Sequence, residues 1–268
     1  AKLNNMQSSW AAGPSLAFEG LSTHEAQAMA GGTPHPHRLQ DLPRAGATED
    51  KSFRADYPAN FDWRNVSGQD YIGIMRDQLV CGSCYSFAAT GVMESRTRVV
   101  TDCEEIRYFS NQDVVSCSPY SQGCSGGFPY LVAKYANDHG IVELRCFAYQ
   151  WDDGVPCEWK CDDATGDLHH YFTEPEYIGG YFGACNEEAM MKAIYTEGPV
   201  AVGVMVTESF TAYRGGVYTG DEGVAHESVN DFVPTNHAVV LVGWTTEPDG
   251  TPTWLLRNSW GRHWGEDN

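Results

Sequence analysis

Basic residues are scarce in this chain: 17 Lys and Arg stand against 36 Asp and Glu, for a formal net charge of -19 over 268 residues. Such a surface repels phosphate backbones and anionic headgroups, which argues against nucleic acid or an anionic membrane surface as partner. The excess acid forms a solvated face, and it also suits an acidic compartment where protonation relieves mutual repulsion. Long apolar runs are lacking too. The stretches Val200 to Val206 and Ala238 to Val242 fall far short of the roughly 18 residues a spanning helix needs, so no membrane span is expected. There is no internal repeat. The chain opens at Ala1 without a charged-then-apolar leader, and it is expected to be a piece of a longer protein.

What is present is ample apolar material, 42% hydrophobic and 12% aromatic, enough for a real core in one large or two modest domains. Cysteine is abundant, with eight of nine between Cys81 and Cys161. That density points to an oxidising secretory route, with a lysosomal or extracellular destination, and to structural disulfides. Asn65-Val66-Ser67 is a glycosylation sequon consistent with that route.

Residues 1–56 are mostly small and polar, and Gly31-Gly32-Thr33-Pro34-His35-Pro36-His37 suits no regular element. The segment is taken as a propeptide or linker, with Trp10 expected to dock on the main body. His35 and His37 have no further ligand nearby, so no metal is expected there. At Tyr57-Pro58-Ala59-Asn60-Phe61-Asp62-Trp63 aromatics appear, and a single domain is expected over 57–268. Helices are predicted from Cys84 to Val100 with Ser83 as N-cap, from the capping-box pattern at Ser110-Asn111-Gln112-Asp113, from Pro129 to before Gly140, and from Asn186 toward Gly198. Strands are predicted at 200–206, 238–242 and 253–256. Helices followed by strands imply an α+β protein of two lobes, one helical and one built on an antiparallel sheet, with a cleft between them.

A thiol is a poor nucleophile until its thiolate is favoured. In Cys81-Gly82-Ser83-Cys84-Tyr85, Cys84 stands at a predicted helix N-terminus, whose positive end stabilises an anion. Among nine histidines, His237 in Thr235-Asn236-His237-Ala238 leads into a strand and can face a cleft as proton acceptor. Arg257-Asn258-Ser259-Trp260-Gly261 follows another strand, so Asn258 could fix the imidazole tautomer and Trp260 could shield that bond from water.

These three motifs, in this order, resemble the papain family of cysteine peptidases, whose signature joins Cys-Gly-Ser/Ala-Cys-Trp/Tyr to downstream His and Asn. The resemblance implies a papain-like fold with Cys84 as nucleophile, His237 as base and then acid, Asn258 as orienter and Gln78, six residues before Cys84, as oxyanion donor. It implies substrate contacts at Gly126, Gly127 and Trp260, the glycine pair letting an extended peptide lie along the backbone. A redox pair or a zinc knuckle at Cys81 and Cys84 would leave Gln78, His237 and Asn258 unexplained, and Cys157-x-x-x-Cys161 offers zinc no matching second pair. No metal and no cofactor are expected for the chemistry.

Within the family, Cys84-Tyr85-Ser86-Phe87, the run Gln122 to Tyr130 and Glu176-Tyr177-Ile178-Gly179-Gly180 resemble the branch that releases dipeptides from free amino termini. That resemblance implies a chloride ion held with Tyr130 and Tyr177, with Tyr130 in the substrate pocket. It also implies disulfides Cys81 with Cys124, Cys117 with Cys157, and Cys146 with Cys161, with Cys103 and Cys185 left over. Partners are then peptide or protein substrates and an exclusion domain from upstream sequence, and the resemblance leaves room for a homo-oligomer. Gly220 to Asn230 lacks the basic residue at which that branch is cut into two chains, and the C-terminal end looks truncated. An endopeptidase and a catalytically silent binding protein are the alternatives.

Overall fold

Strand alternation and helical spacing place most elements where the chemistry needs them. A computed structural model describes residues 9–30, 57–161, 168–220 and 235–266, so Asp56, His35, His37 and most of Gly220 to Asn230 lie outside the described residues. Before residue 31 the chain is more structured than its small, polar composition predicts. Strand β1 (Trp10–Ala12) is followed by a 3-10 turn at Leu16–Phe18 and helix α1 (Thr23–Ala28). A reciprocal capping box starts α1: Glu25 N–H donates to Ser22 Oγ at 3.3 Å while Ser22 N–H donates to Glu25 Oε2 at 2.7 Å. Met29 and Ala30, just beyond it, are buried.

Strand β2 (Phe61–Asp62) opens the main body. Helix α2 (Cys84–Val100) has the predicted bounds, but Ser83 makes no side-chain cap at its start. Its hydroxyl is engaged by Tyr149 instead, at 2.6 Å. Helix α3 (Asn111–Cys117) is capped by Ser110 Oγ, which accepts from Asp113 N–H. The return half of that capping box is missing, because Asp113 turns inward and accepts from Val142 N–H. Helix α4 (Pro129–Asp138) starts on its proline. Strands β3 (Ile141–Val142) and β4 (His169–His170) pair antiparallel.

Helix α5 (Glu187–Glu197) is capped by Asn186 and stops at Gly198. Strand β5 (Val200–Val204), the short helix α6 (Glu208–Thr211), β6 (Tyr213–Gly216), β7 (His237–Thr246) and β8 (Pro252–Arg257) complete the chain. β7 is the backbone of an antiparallel four-stranded sheet, pairing with β2, β5 and β8. Gly243 permits the β2 approach, since a Cβ there would stand 2.0 Å from the Phe61 carbonyl oxygen. β1 joins β6 in a separate two-stranded sheet, with Trp10 opposite Gly216.

Residues 237–244 of β7 are buried throughout, because α2 lies against the strand. Tyr85, Ala88, Ala89 and Met93 of α2 share one core with Val240, Leu241 and Val242 of β7 and with Val132 and Tyr135 of α4. This is the α+β arrangement expected, a helical lobe beside an antiparallel sheet. Three disulfides, Cys81–Cys124, Cys117–Cys157 and Cys146–Cys161, staple the helical lobe and constrain its unfolded chain. Cys84, Cys103 and Cys185 are free. No described helix is long and apolar enough to cross a membrane.

Candidate active site

The site forms where the N-terminus of α2 faces the start of β7 and the end of β8. Cys84 is the first residue of α2 and His237 the first of β7. Asn258 immediately follows β8, whose pairing with β7 sets Val240 opposite Arg257. That register carries the amide to the ring: His237 Nε2 lies 2.7 Å from Asn258 Oδ1. Asn258 Oδ1 also accepts the Ser259 backbone N–H at 2.8 Å, which fixes the amide with its oxygen toward the imidazole. Trp260 covers the pair, its ring 4.7 Å from that of His237 and inclined by 29°.

Gln78 is fully buried beside them. Its Nε2 donates to the carbonyls of Met29 at 2.5 Å and Cys81 at 3.0 Å. The Cys84 thiol donates to Ala30 O at 2.7 Å, and His237 Nδ1 lies 3.1 Å from the same oxygen. The main chain of Met29 and Ala30 therefore touches three of the residues singled out in the sequence. The Cys84 thiol and the Gln78 amide engage carbonyls of different residues, Ala30 and Met29. The segment fills the cleft without being presented as a substrate.

Occlusion also sets the electrostatics. Burial pushes the Cys84 thiol up to about 12, against smaller opposing contributions from nearby backbone N–H groups. Burial likewise lowers the pKa of His237, opposed by its bonds to Asn258 and Ala30. Both ring nitrogens face oxygen acceptors, a pattern that only an imidazolium satisfies at both ends. Removing the segment would readmit water and free Nδ1, the nitrogen on the thiol side, for proton exchange with Cys84.

Upstream anchors hold the plug in place. Trp10 packs edge-on against Tyr218 at 4.9 Å, Phe18 meets Trp260 edge-on at 4.9 Å, and Met29 joins a cluster with Phe210, Trp260 and Trp264. Neither Met29 nor Ala30 stands out in the sequence, although Ser22-x-x-Glu25 is a capping-box signal that could have found α1. Gly126 adopts φ of 120°. Gly127 has a packing reason of its own, since a Cβ there would meet the Tyr85 ring at 2.7 Å. Tyr130 and Tyr177 stack at 4.3 Å, nearly parallel. Asn65 is exposed, its Oδ1 accepting the Gly68 N–H at 3.1 Å. Among the described residues no cluster of three His, Cys, Asp or Glu could hold a metal ion.

Residues 57–268 match the family described as Papain family cysteine protease. The chain belongs to that family. It is 39% identical over 220 residues to a cathepsin C of Schistosoma mansoni, covering 80% of this chain and 48% of the relative. It is 34% identical to a cathepsin Z of Onchocerca volvulus, covering 84% and 72%, and 31% identical to a cathepsin B-like protein, CP2, of Giardia intestinalis, covering 100% and 86%. The chain thus spans about half the length of that cathepsin C. Among solved structures it resembles a digestive procathepsin L2 from Tenebrio molitor larval midgut, with TM-score 0.75 and 28% identity over 99% of this chain and 79% of the other. A procathepsin B from Trypanosoma congolense gives 0.73 and 26%, over 99% and 88%. As a papain-family cysteine peptidase the chain is a hydrolase of peptide bonds, of a class that needs no cofactor for its chemistry.

Proposed function

We propose that Cys84 is the nucleophile of this peptidase, held latent by the segment that carries Met29 and Ala30. The carrying observation is convergence: Cys84 Sγ, His237 Nδ1 and Gln78 Nε2 all reach one two-residue stretch of backbone. With that stretch displaced, the Cys84 thiol passes its proton to His237 Nδ1 and the sulfur attacks the substrate carbonyl carbon. Gln78 Nε2 and the Cys84 backbone N–H receive the oxyanion, a contribution of about 3 kcal/mol per donor. As the intermediate collapses, the C–N bond breaks, the imidazolium gives its proton to the leaving amine, and a thioester remains. Water, deprotonated by His237, hydrolyses the thioester. Asn258 keeps the ring in its tautomer, and Gly126 and Gly127 leave room for the substrate backbone.

The finer reading is release of dipeptides from free amino termini, supported by the 39% identity to a cathepsin C and by the stacked Tyr130 and Tyr177. Two phenol O–H donors in one patch fit a chloride ion, which would be held there and would order the pocket. An upstream exclusion domain would be the element that limits the cleft to dipeptides, and assembly into a homo-oligomer belongs to the same reading. Three disulfides and an exposed sequon at Asn65 support a secretory or lysosomal route. The test is cleavage of a free-amine dipeptide fluorogenic substrate, with and without chloride, by the full-length protein. Rapid cleavage of the free-amine substrate alone supports the dipeptide reading; cleavage of an N-terminally blocked peptide instead identifies an endopeptidase.

A further inference from the structure

Gln78 has to present a nitrogen, not an oxygen, to the substrate, and its amide could satisfy its own contacts in only one of two orientations. Nothing in the amide itself selects that orientation. Two outside contacts select it: the Cys81 carbonyl, which can only accept, takes Gln78 Nε2 at 3.0 Å, and buried Ser259 Oγ donates to Gln78 Oε1 at 2.6 Å. The main chains are tied as well, with Gln78 N–H donating to Ser259 O at 2.9 Å. From the other side, Tyr149 O–H donates to the Gln78 carbonyl at 2.8 Å and therefore receives the Ser83 hydroxyl at 2.6 Å. Gln78 is gripped at its amide N–H, its carbonyl and its side-chain oxygen.

We propose that Ser259 is a positioning residue for the oxyanion site, its hydroxyl tethering Gln78 Oε1 so that, together with the Cys81 carbonyl, it holds the orientation in which Gln78 Nε2 faces the cleft. The inference rests on the reading of Gln78 as oxyanion donor. Ser259 lies between Asn258 and Trp260, so one tripeptide sets both halves of the machinery: Asn258 the imidazole, Ser259 the oxyanion donor. Without the hydroxyl, Oε1 loses its donor and only the Cys81 carbonyl still holds the amide, so Nε2 is aimed less closely at the developing oxyanion and the flipped orientation gains population. Such a defect acts on the transition state and leaves ground-state binding alone.

The test is a double-mutant cycle in the full chain, carrying a foreign protease site inserted between residues 31 and 56, cut after folding and freed of the released N-terminal segment by size-exclusion chromatography. Ser259→Ala is expected to lower kcat about tenfold, the effect of about one lost hydrogen bond, with KM within about twofold. Gln78→Ala is expected to lower kcat by about 10² to 10³, and adding Ser259→Ala to it is expected to change nothing more. Alkylation of Cys84 by iodoacetamide forms no oxyanion, so its rate should be the same in all four proteins. The inference is overturned if Ser259→Ala turns over like the unsubstituted protein, if the two losses multiply, or if alkylation falls with turnover, which would mark a structural role. If the unsubstituted cut chain hydrolyses nothing, or Gln78→Ala costs nothing, the catalytic reading itself fails, and that outcome is separate from the three above.

Discussion

At the scale of single residues, position relative to secondary structure does most to determine chemistry. Cys84 draws on the start of α2, His237 on the start of β7, and Asn258 on the end of β8, and each would be unremarkable one turn or one residue away. Gly127 illustrates how a residue with an expected substrate role can be constrained by packing too, since its missing side chain makes room for the Tyr85 ring. Gly127→Ala should therefore destabilise the fold by about 1–3 kcal/mol through overpacking, read as a lower thermal midpoint of the uncut chain in which no substrate is bound. An unchanged midpoint would leave substrate approach as its sole constraint. Cys84, His237, Asn258 and Gln78, which the structure brings together, could be singled out because their types and order form recognisable motifs. Met29, Ala30 and Tyr149 could not: each acts through a backbone carbonyl or a single hydroxyl whose partner lies far away in the chain.

At the scale of elements, the helices were legible where caps and spacing agreed, as for α2, α4 and α5. Ser83 shows the limit of such reasoning, since a tertiary partner, Tyr149, takes the hydroxyl that local propensity assigns to a cap. The segment from β1 to α1 was not legible as structure because it owes its order to contacts with β6, Trp260 and Phe210 instead of its own periodicity. Trp10 is its far anchor, buried against Tyr218 and paired opposite Gly216. Trp10→Ala should loosen the plug without touching the residues around Cys84. The expected result is at least tenfold faster alkylation of Cys84 in the uncut chain, on the scale of the energy lost when a buried aromatic is truncated. Equal alkylation rates would mean that α1 and Met29 hold the segment unaided.

For the whole molecule, the acid excess that opens the sequence has buried members. Burial raises the pKa of Asp113, against its bonds to Trp159, Val142 and Tyr135, and burial raises that of Glu94, against the nearby Arg76. A carboxyl whose pKa is raised in the fold binds its proton more tightly there than in the unfolded chain, where carboxyls titrate near about pH 4. Its contribution is fully present below that pH and is lost as pH rises through the folded-state value. Asp113→Asn should therefore shrink the fall in thermal midpoint as pH rises above about 4, and an unaltered pH slope would contradict this. His237 acts in the opposite sense, its lowered pKa costing stability as pH falls through about 6.5, so the comparison between variants is the informative one. The central claim concerns one thiol among three free ones. Treating the chain, cut between residues 31 and 56 and freed of the released N-terminal segment, with an epoxide peptidase inhibitor and mapping the adduct by mass spectrometry tests it directly. The account predicts a single adduct on Cys84, absent while the segment is uncut, and none on Cys103 or Cys185; a folded, cut protein left unlabelled at Cys84 would contradict it.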